Sequence, residues 1–326
     1  MSGGPPAVAV VLAGEAGVRA GAVDAWLADD AARQVVDEAS AVVGRDVATW
    51  WRDPLALSCD TTAAHVEVVV SGVAGYRSLV ARGLRPVVVA GHGVGEYAAL
   101  VATGALPLDQ AVELVHWRAE LLSLSPRPSC AGMAAVVGPG AAGVARTVVA
   151  DVGGALAVAS VDGPAQVVLA GACDELARAR EAVHAAGLDL VRLPGRTACH
   201  SPLVETTARH LAAALADLEW SEPDVPVVPN ADGRPTRDPQ QLARCLRAHL
   251  TSTVQWEATS RALVEAGATA VVEVAAVPVL GPLVRQVHPD LPVHLAAGPG
   301  TPIPTTSPTT SPEPATAVPV PTGGDS

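Results

Sequence analysis

Phenylalanine and lysine are absent from the 326-residue chain, and aromatic residues make up only 2% of it. There is one isoleucine, Ile303, and one asparagine, Asn230. All four residue types have AT-rich codons, so the shortage reflects a GC-rich gene rather than a functional demand. The core must therefore be built from Val, Leu and Ala, and a hydrophobic content of 49% supplies them. That content excludes a largely disordered chain, and the irregular patterning excludes a fibre. All 21 basic residues are Arg, set against 33 acidic ones, for a net charge of -12. An acidic chain is a poor partner for nucleic acid or an anionic membrane. No apolar run reaches the roughly 18–20 residues of a membrane span. Residues 1–6 carry no basic region of the kind that opens a signal peptide. The five cysteines are odd in number, widely spaced and free of metal-ligand spacing. They predict free thiols in a cytoplasmic protein, with no disulfide framework or structural zinc.

What is present alternates. Short Val-rich runs at 8–12, 87–90, 133–137, 166–170, 188–193, 225–228 and 270–274 predict strands. Helical patterns at 23–42, 108–123, 175–186 and 203–218 lie between them. This order predicts an α/β fold with a mostly parallel sheet. From 132 to 193 the pattern is strand, helix, strand, strand, helix, strand, with a turn at Asp162-Gly163-Pro164. That is the βαββαβ order of a ferredoxin-like unit. The expected organisation is a large α/β-hydrolase-like domain from 1–130 and 199–296, with a small ferredoxin-like subdomain at 131–198. The Pro/Thr-rich stretch 297–326 is expected to be a disordered tail.

The sharpest local feature is the run Val87-Val88-Val89-Ala90-Gly91-His92-Gly93-Val94-Gly95-Glu96-Tyr97. A buried strand enters a glycine-dense turn and leaves as a helix, the context of a G-x-S-x-G nucleophile elbow. The central residue is Gly93, so no hydroxyl stands where a nucleophile belongs.

These residues resemble the malonyl-CoA:acyl carrier protein transacylases and the acyltransferase domains of polyketide synthases. The family's GHSxGE motif matches Gly91–Glu96 except at Gly93. Gly132–Val136, Gln166–Gly171, Val225–Asn230 and Val254-Gln255-Trp256 resemble further family signatures, in the same order, and the likeness spans about residues 7–296. The resemblance implies acyl transfer between CoA and an acyl carrier protein or polyketide synthase, in a polyketide or fatty-acid pathway, on malonyl-type or starter acyl groups. It implies no metal or redox cofactor.

The resemblance also assigns residues. The family's carboxylate-binding arginine lies 25 residues beyond the nucleophile, which falls on Arg118. Helical periodicity independently puts Arg118 on an apolar face with Ala111, Leu114, Val115, Leu121 and Leu122. Its guanidinium fork suits a free carboxylate; a structural salt bridge or snorkelling is the alternative. The catalytic histidine maps to His200, before Ser201-Pro202, and a helix beginning there would hold it neutral. The backbone carbonyl of Asn230 is expected to orient it, although Asn230 also suits a plain turn. Thr197, Ala198 and Cys199 match the positions that track acyl choice. Backbone N–H groups of Glu15 and Val94 match the oxyanion hole, where the Glu15 carboxylate would oppose a developing negative charge. His65 stands where the family carries Gln, and Glu273–Val277 replaces its EVGPG loop.

Without a hydroxyl at 93 the covalent relay has no attacking atom. The expected enzyme is an impaired or silent acyltransferase. The alternatives are a non-catalytic binding or scaffold protein, a hydrolase in which His200 activates water beside Gly93, and attack by the Cys199 thiol.

Overall fold

The computed structural model describes residues 6–124, 130–195 and 197–304. Among them are nine strands: β1 (Val8–Leu12), β2 (Pro86–Gly91), β3 (Ala131–Val137), β4 (Ala157–Gly163), β5 (Gln166–Ala172), β6 (Asp189–Arg192), β7 (Val227–Val228), β8 (Ala270–Val274) and β9 (Val293–Ala296). Five form one sheet in the order β7-β2-β1-β8-β9, with every pairing parallel. The other four form a separate antiparallel sheet in the order β4-β5-β3-β6.

β1 is the middle strand of the large sheet and shows why such strands read as unbroken apolar runs. All five of its residues are buried. Val8, Val10 and Leu12 face the main core, built with the helices Asp30–Val43, Thr61–Ala81, Gly95–Ala102 and Leu108–Leu124. Ala9 and Val11 face the opposite layer, with Trp256, Leu263 and Leu283. Alternate residues leave a strand on opposite faces, so a sheet covered on both sides needs no polar positions.

The small sheet carries the helices Ala141–Val152 and Cys173–Ala185 on one face. Its other face, through Ala135, Ala159, Val168 and Ala170, packs on Ala198 and Leu203 of the large body. β4 is also tied to that body by backbone bonds, Val161 N–H to the Val254 carbonyl and Val254 N–H to the Ala159 carbonyl, both 2.9 Å. The predicted turn shifts as a result. Asp162 and Gly163 belong to β4, and Pro164 and Ala165 make the connection to β5.

Several expectations are corrected. Helix 23–42 is two pieces, a 3-10 turn at Ala22–Ala25 and an α-helix at Asp30–Val43. The Asp29 carboxylate caps the second piece, accepting from Ala32 N–H, and so fixes a new start. The 203–218 helix is likewise a 3-10 turn at Pro202–Val204 followed by Glu205–Ala214. The five thiols are not all free, because Cys130 and Cys173 form a disulfide. Ala131 pairs with Ala172 across β3 and β5, so the next residue outward on each strand is Cys130 and Cys173, with Cα atoms 5.4 Å apart. The expected tail begins inside the fold: the Thr301 carbonyl accepts from Arg82, and Ile303 packs on the main core. The rest of that stretch, from 305 on, lies outside the described residues.

No helix among the described residues is long and apolar enough to cross a membrane.

Leu12 is fully buried at the end of β1. Leu12→Ala is expected to cost about 2–5 kcal/mol through the cavity it leaves. The midpoint of a urea unfolding curve measures it.

Candidate active site

Polar residues gather where β1, β2 and β7 end, the edge at which open parallel sheets carry their sites. β2 runs into Gly91-His92-Gly93-Val94, and the helix Gly95–Ala102 leaves at once. Two glycines permit this. A Cβ on Gly91 would stand 1.9 Å from the Gly95 carbonyl oxygen, and one on Gly95 would stand 2.6 Å from the Leu12 carbonyl oxygen. Gly93 differs. Its φ of +55° is the strained value of an elbow residue, yet a Cβ there would meet nothing within 4 Å. The elbow keeps its shape and has open space where a side chain would project.

Asn230 pins this turn from β7. Its Nδ2 donates to the Gly91 carbonyl at 2.7 Å, and its Oδ1 accepts from Gly93 N–H at 2.9 Å. Its backbone N–H donates to Glu96 at 3.2 Å, and its carbonyl accepts from Gln255 N–H at 2.8 Å. Asn230 therefore does not orient His200, as the resemblance implied. That contact falls to the loop after the helix Pro239–Ala248: His200 Nδ1–H faces the His249 carbonyl at 2.8 Å and the Ser252 carbonyl at 3.1 Å. Nε2 is the nitrogen left for proton transfer.

Among the described residues His200 is the one non-glycine with positive φ, at +62°. Its N–H donates to the Leu250 carbonyl at 2.7 Å, holding this unfavourable backbone in place. The helix-dipole expectation is corrected. Ser201 caps the 3-10 turn Pro202–Val204, accepting from Leu203 N–H, and the α-helix starts only at Glu205. His200 is neutral for other reasons. Burial, then the Arg118 charge, bring it down to about 4, against the pull of its backbone bonds.

His249 links His200 to the elbow. The two rings meet edge to face with centroids 5.0 Å apart, and His249 Nε2–H faces the Gly93 carbonyl at 3.0 Å. Sequence reading passed over His249 because its contribution to His200 is a backbone carbonyl, which no residue type advertises. His92 was passed over too. Its Nε2 meets Asp162 Oδ1 at 2.9 Å, so β4 of the small sheet braces the elbow directly. Burial favours the neutral acid at Asp162, but hydrogen bonds from His92, Ser160 and Gln166 prevail and hold its carboxylate below the usual range.

Arg118 lies in the middle of the site, 1% exposed, so it does not snorkel. Its Nη1 donates to His65 Nδ1 at 2.8 Å, and His65 Nε2–H donates to Glu15 in a short contact. The Glu15 carboxylate is therefore turned toward His65, contrary to the expected opposition at the oxyanion position. Burial would push Glu15 up, but His65 and Arg118 prevail and hold it at about 2. Glu15 reaches the site because Gly14 lies against the elbow, where a Cβ would stand 2.5 Å from the His92 carbonyl oxygen. That approach sets the Glu15 backbone beside the turn carrying Val94.

Ala198 and Cys199 are buried and Thr197 is half-buried. Cys199 Sγ faces Arg118 Nη2 at 3.9 Å. Burial pushes its thiol up although Arg118 opposes this, so it stays protonated and weakly nucleophilic at neutral pH. Among the described residues no group of three or more His, Cys, Asp or Glu has metal-holding geometry.

A parallel-sheet protein with a strand–glycine–helix elbow, a strained buried histidine and a buried arginine beside it has the framework of an acyl-transfer protein. The chain belongs to the acyl transferase domain family, whose profile matches residues 24–298. It is 34% identical over 206 residues to the polyketide biosynthesis protein ThaF of Burkholderia thailandensis, covering 63% of this chain and 17% of that protein. It is 29% identical over 254 residues to the malonyl CoA-acyl carrier protein transacylase of Salmonella typhimurium, covering 77% of this chain and 82% of that one. A solved malonyl-transacylase, in complex with its type II polyketide synthase acyl-carrier protein, superposes with a TM-score of 0.84 at 26% identity. That match covers 89% of this chain and 96% of the other.

The glycines separate experimentally. Gly91→Ala is expected to prevent folding, since its Cβ meets backbone. Gly93→Ala is expected to fold and to lose only about 1–2 kcal/mol for its left-handed backbone. Thermal melts of the two variants distinguish them.

Glu96 gives a pH test. It is buried, and burial raises it from 4.5 to about 8, so the folded protein binds a proton that the unfolded chain releases. Its contribution to stability is complete below pH 4.5 and is lost as pH rises to about 8. Glu96→Gln is expected to flatten that decline by at most about 1.4 kcal/mol per pH unit, read from denaturation midpoints across the window.

Proposed function

We propose that this chain binds acyl thioesters of coenzyme A or of an acyl carrier protein, in a polyketide or fatty-acid pathway, without forming an acyl-enzyme. One observation carries the reading: the elbow, its brace Asn230 and the histidine His200 are all in place around a residue that has room for a side chain and none to offer. Its relatives are named for acyl transfer to carrier proteins and for polyketide biosynthesis, which supports the substrate class and partner. In this reading His200 and the oxyanion pair, Glu15 N–H and Val94 N–H, contact the thioester. Arg118 and residues 197–199 border the acyl group. No metal or redox cofactor enters. The protein acts as a thioester receptor, a pseudoenzyme in the sense of covalent transfer.

A second reading has one observation in its favour. His200 has Nδ1 held by two carbonyls and is neutral at pH 7, so Nε2 can take a proton from water lodged in the space beside Gly93. The water oxygen would attack the thioester carbonyl, and the thiol would leave with that proton, giving a free acid and a free thiol. Thiol release that vanishes in His200→Ala would favour hydrolysis.

Intact mass spectrometry tests the main reading. The natural chain and Gly93→Ser are each incubated with malonyl-, acetyl- and propionyl-CoA. The natural chain is expected to keep its mass, and the variant to gain an acyl group from at least one ester. An acyl mass on the natural chain would overturn the proposal, and so would a folded variant that no ester acylates.

A further inference from the structure

Arg118 lies at the centre of the site with its charge already answered from within the protein. Its Nη1 lies 2.8 Å from His65 Nδ1 and 3.2 Å from Nε2, and the carboxylate of Glu15 against Nε2 favours the imidazole proton there, with Nδ1 accepting from Arg118. The order is guanidinium, neutral imidazole, carboxylate, and the formal charges cancel. Burial and then the Arg118 charge keep His65 low, consistent with a neutral ring as the middle member. Among the described residues no carboxylate makes a direct ion pair with Arg118.

The three groups differ in depth. Arg118 is 1% exposed, and the His65 side chain is fully buried, whereas the Glu15 side chain is 48% exposed. Glu15 thus reaches in from a surface turn, Glu15–Gly17, and ends the relay at the outer side of the site. A visiting group that approaches Arg118 meets a carboxylate already in position.

We infer that Glu15, acting through His65 on Arg118, is a built-in counter-ion that makes this site select thioesters of uncharged acyl groups and reject those bearing a second carboxylate. The inference rests on the acyl-thioester reading above and narrows it. A malonyl group reaching buried Arg118 would bring a second negative charge to a cation already matched by Glu15. Like charges so placed repel, and rejecting one ligand by repulsion is an effective route to specificity. Half-exposed Glu15 has no easy escape by protonation, since the His65 contact and the Arg118 charge hold it at about 2. To admit the second carboxylate the relay would have to break, stranding the His65 N–H. An acetyl or propionyl group asks for neither. The neutral, buried Cys199 beside Arg118 suits such a group.

Isothermal titration of the natural chain with propionyl-CoA, acetyl-CoA and malonyl-CoA, and with free CoA as the baseline, tests this. Propionyl- or acetyl-CoA is expected to bind about tenfold or more tightly than malonyl-CoA, the effect of roughly one unfavourable charge contact. Glu15→Gln is expected to improve malonyl-CoA binding by about tenfold and to leave propionyl-CoA within about twofold. His65→Gln, which cuts the relay at its middle, is a second route to the same shift. Tighter binding of malonyl-CoA by the natural chain would overturn the inference while leaving the acyl-thioester reading intact. The same holds for an unchanged malonyl-to-propionyl ratio in folded Glu15→Gln. Failure of every CoA ester to bind above free CoA would overturn both.

Discussion

The site depends on one steric constraint, the seating of the helix Gly95–Ala102 directly on the ends of β1 and β2. No Cβ fits at Gly91 or Gly95, because each would enter backbone rather than a side chain that could move. Close packing of this kind fixes the turn between them, and with it the left-handed backbone of Gly93. Gly14 adds a third such contact against the His92 carbonyl and brings the Glu15 loop to the same place. Three glycines therefore set the backbone geometry before any polar group is considered. Polar braces follow from it: Asn230 can bond both Gly91 and Gly93 only because the turn is that tight.

Electrostatics then separates the groups by protonation state. Burial alone pushes every ionisable group here toward its neutral form. His200, His249 and Glu96 yield to it: the two histidines are lowered and the carboxyl is raised to about 8. Glu15 and Asp162 resist because each has hydrogen-bond donors aimed at its charge. The result is a site with one cation, Arg118, one carboxylate relayed to it, and a second carboxylate braced against His92. Three neighbouring histidines, at 65, 200 and 249, stay uncharged around Arg118 for the same reason, since each added proton would meet a charge already buried.

Much of this was legible in the sequence, and the failures have physical causes. β1 and β8 have the predicted bounds because both are buried on two faces and bracketed by turns. The helix Thr61–Ala81 went unread although it is the longest one described. Its buried residues run nearly all round, from Val66 to Val70 and on to Tyr76, so it offers no apolar stripe for periodicity to find. β9 is four residues long with a histidine inside, too short to announce itself. At the site, the resemblance pointed to Gly93, His200, Arg118 and Asn230, and the fold brings these residues to the same strand ends. What Asn230 and His249 do was not legible, because their roles pass through backbone atoms and through tertiary neighbours. Glu15 and His65 stood out separately as departures from a pattern, 50 residues apart. Only the fold shows them to be one hydrogen-bonded unit.

That unit bears on why the site is ordered around a glycine at 93. A glycine at 93, taken alone, relieves strain and gives the surrounding polar groups nothing to serve. Buried groups without purpose are costly to keep, since each needs a partner or a proton shift. Yet His200 has a positive φ, with its N–H and its ring Nδ1 both bonded to backbone carbonyls, and the Arg118 guanidinium lies in the interior. A chain drifting toward a plain scaffold would replace a buried guanidinium with apolar volume at little loss and often some gain. Here it is instead relayed through His65 to a surface carboxylate. Retained strain at His200 and a charge that is compensated rather than removed both argue for a pocket that still receives a ligand, of a kind different in charge from the one a bare arginine would attract.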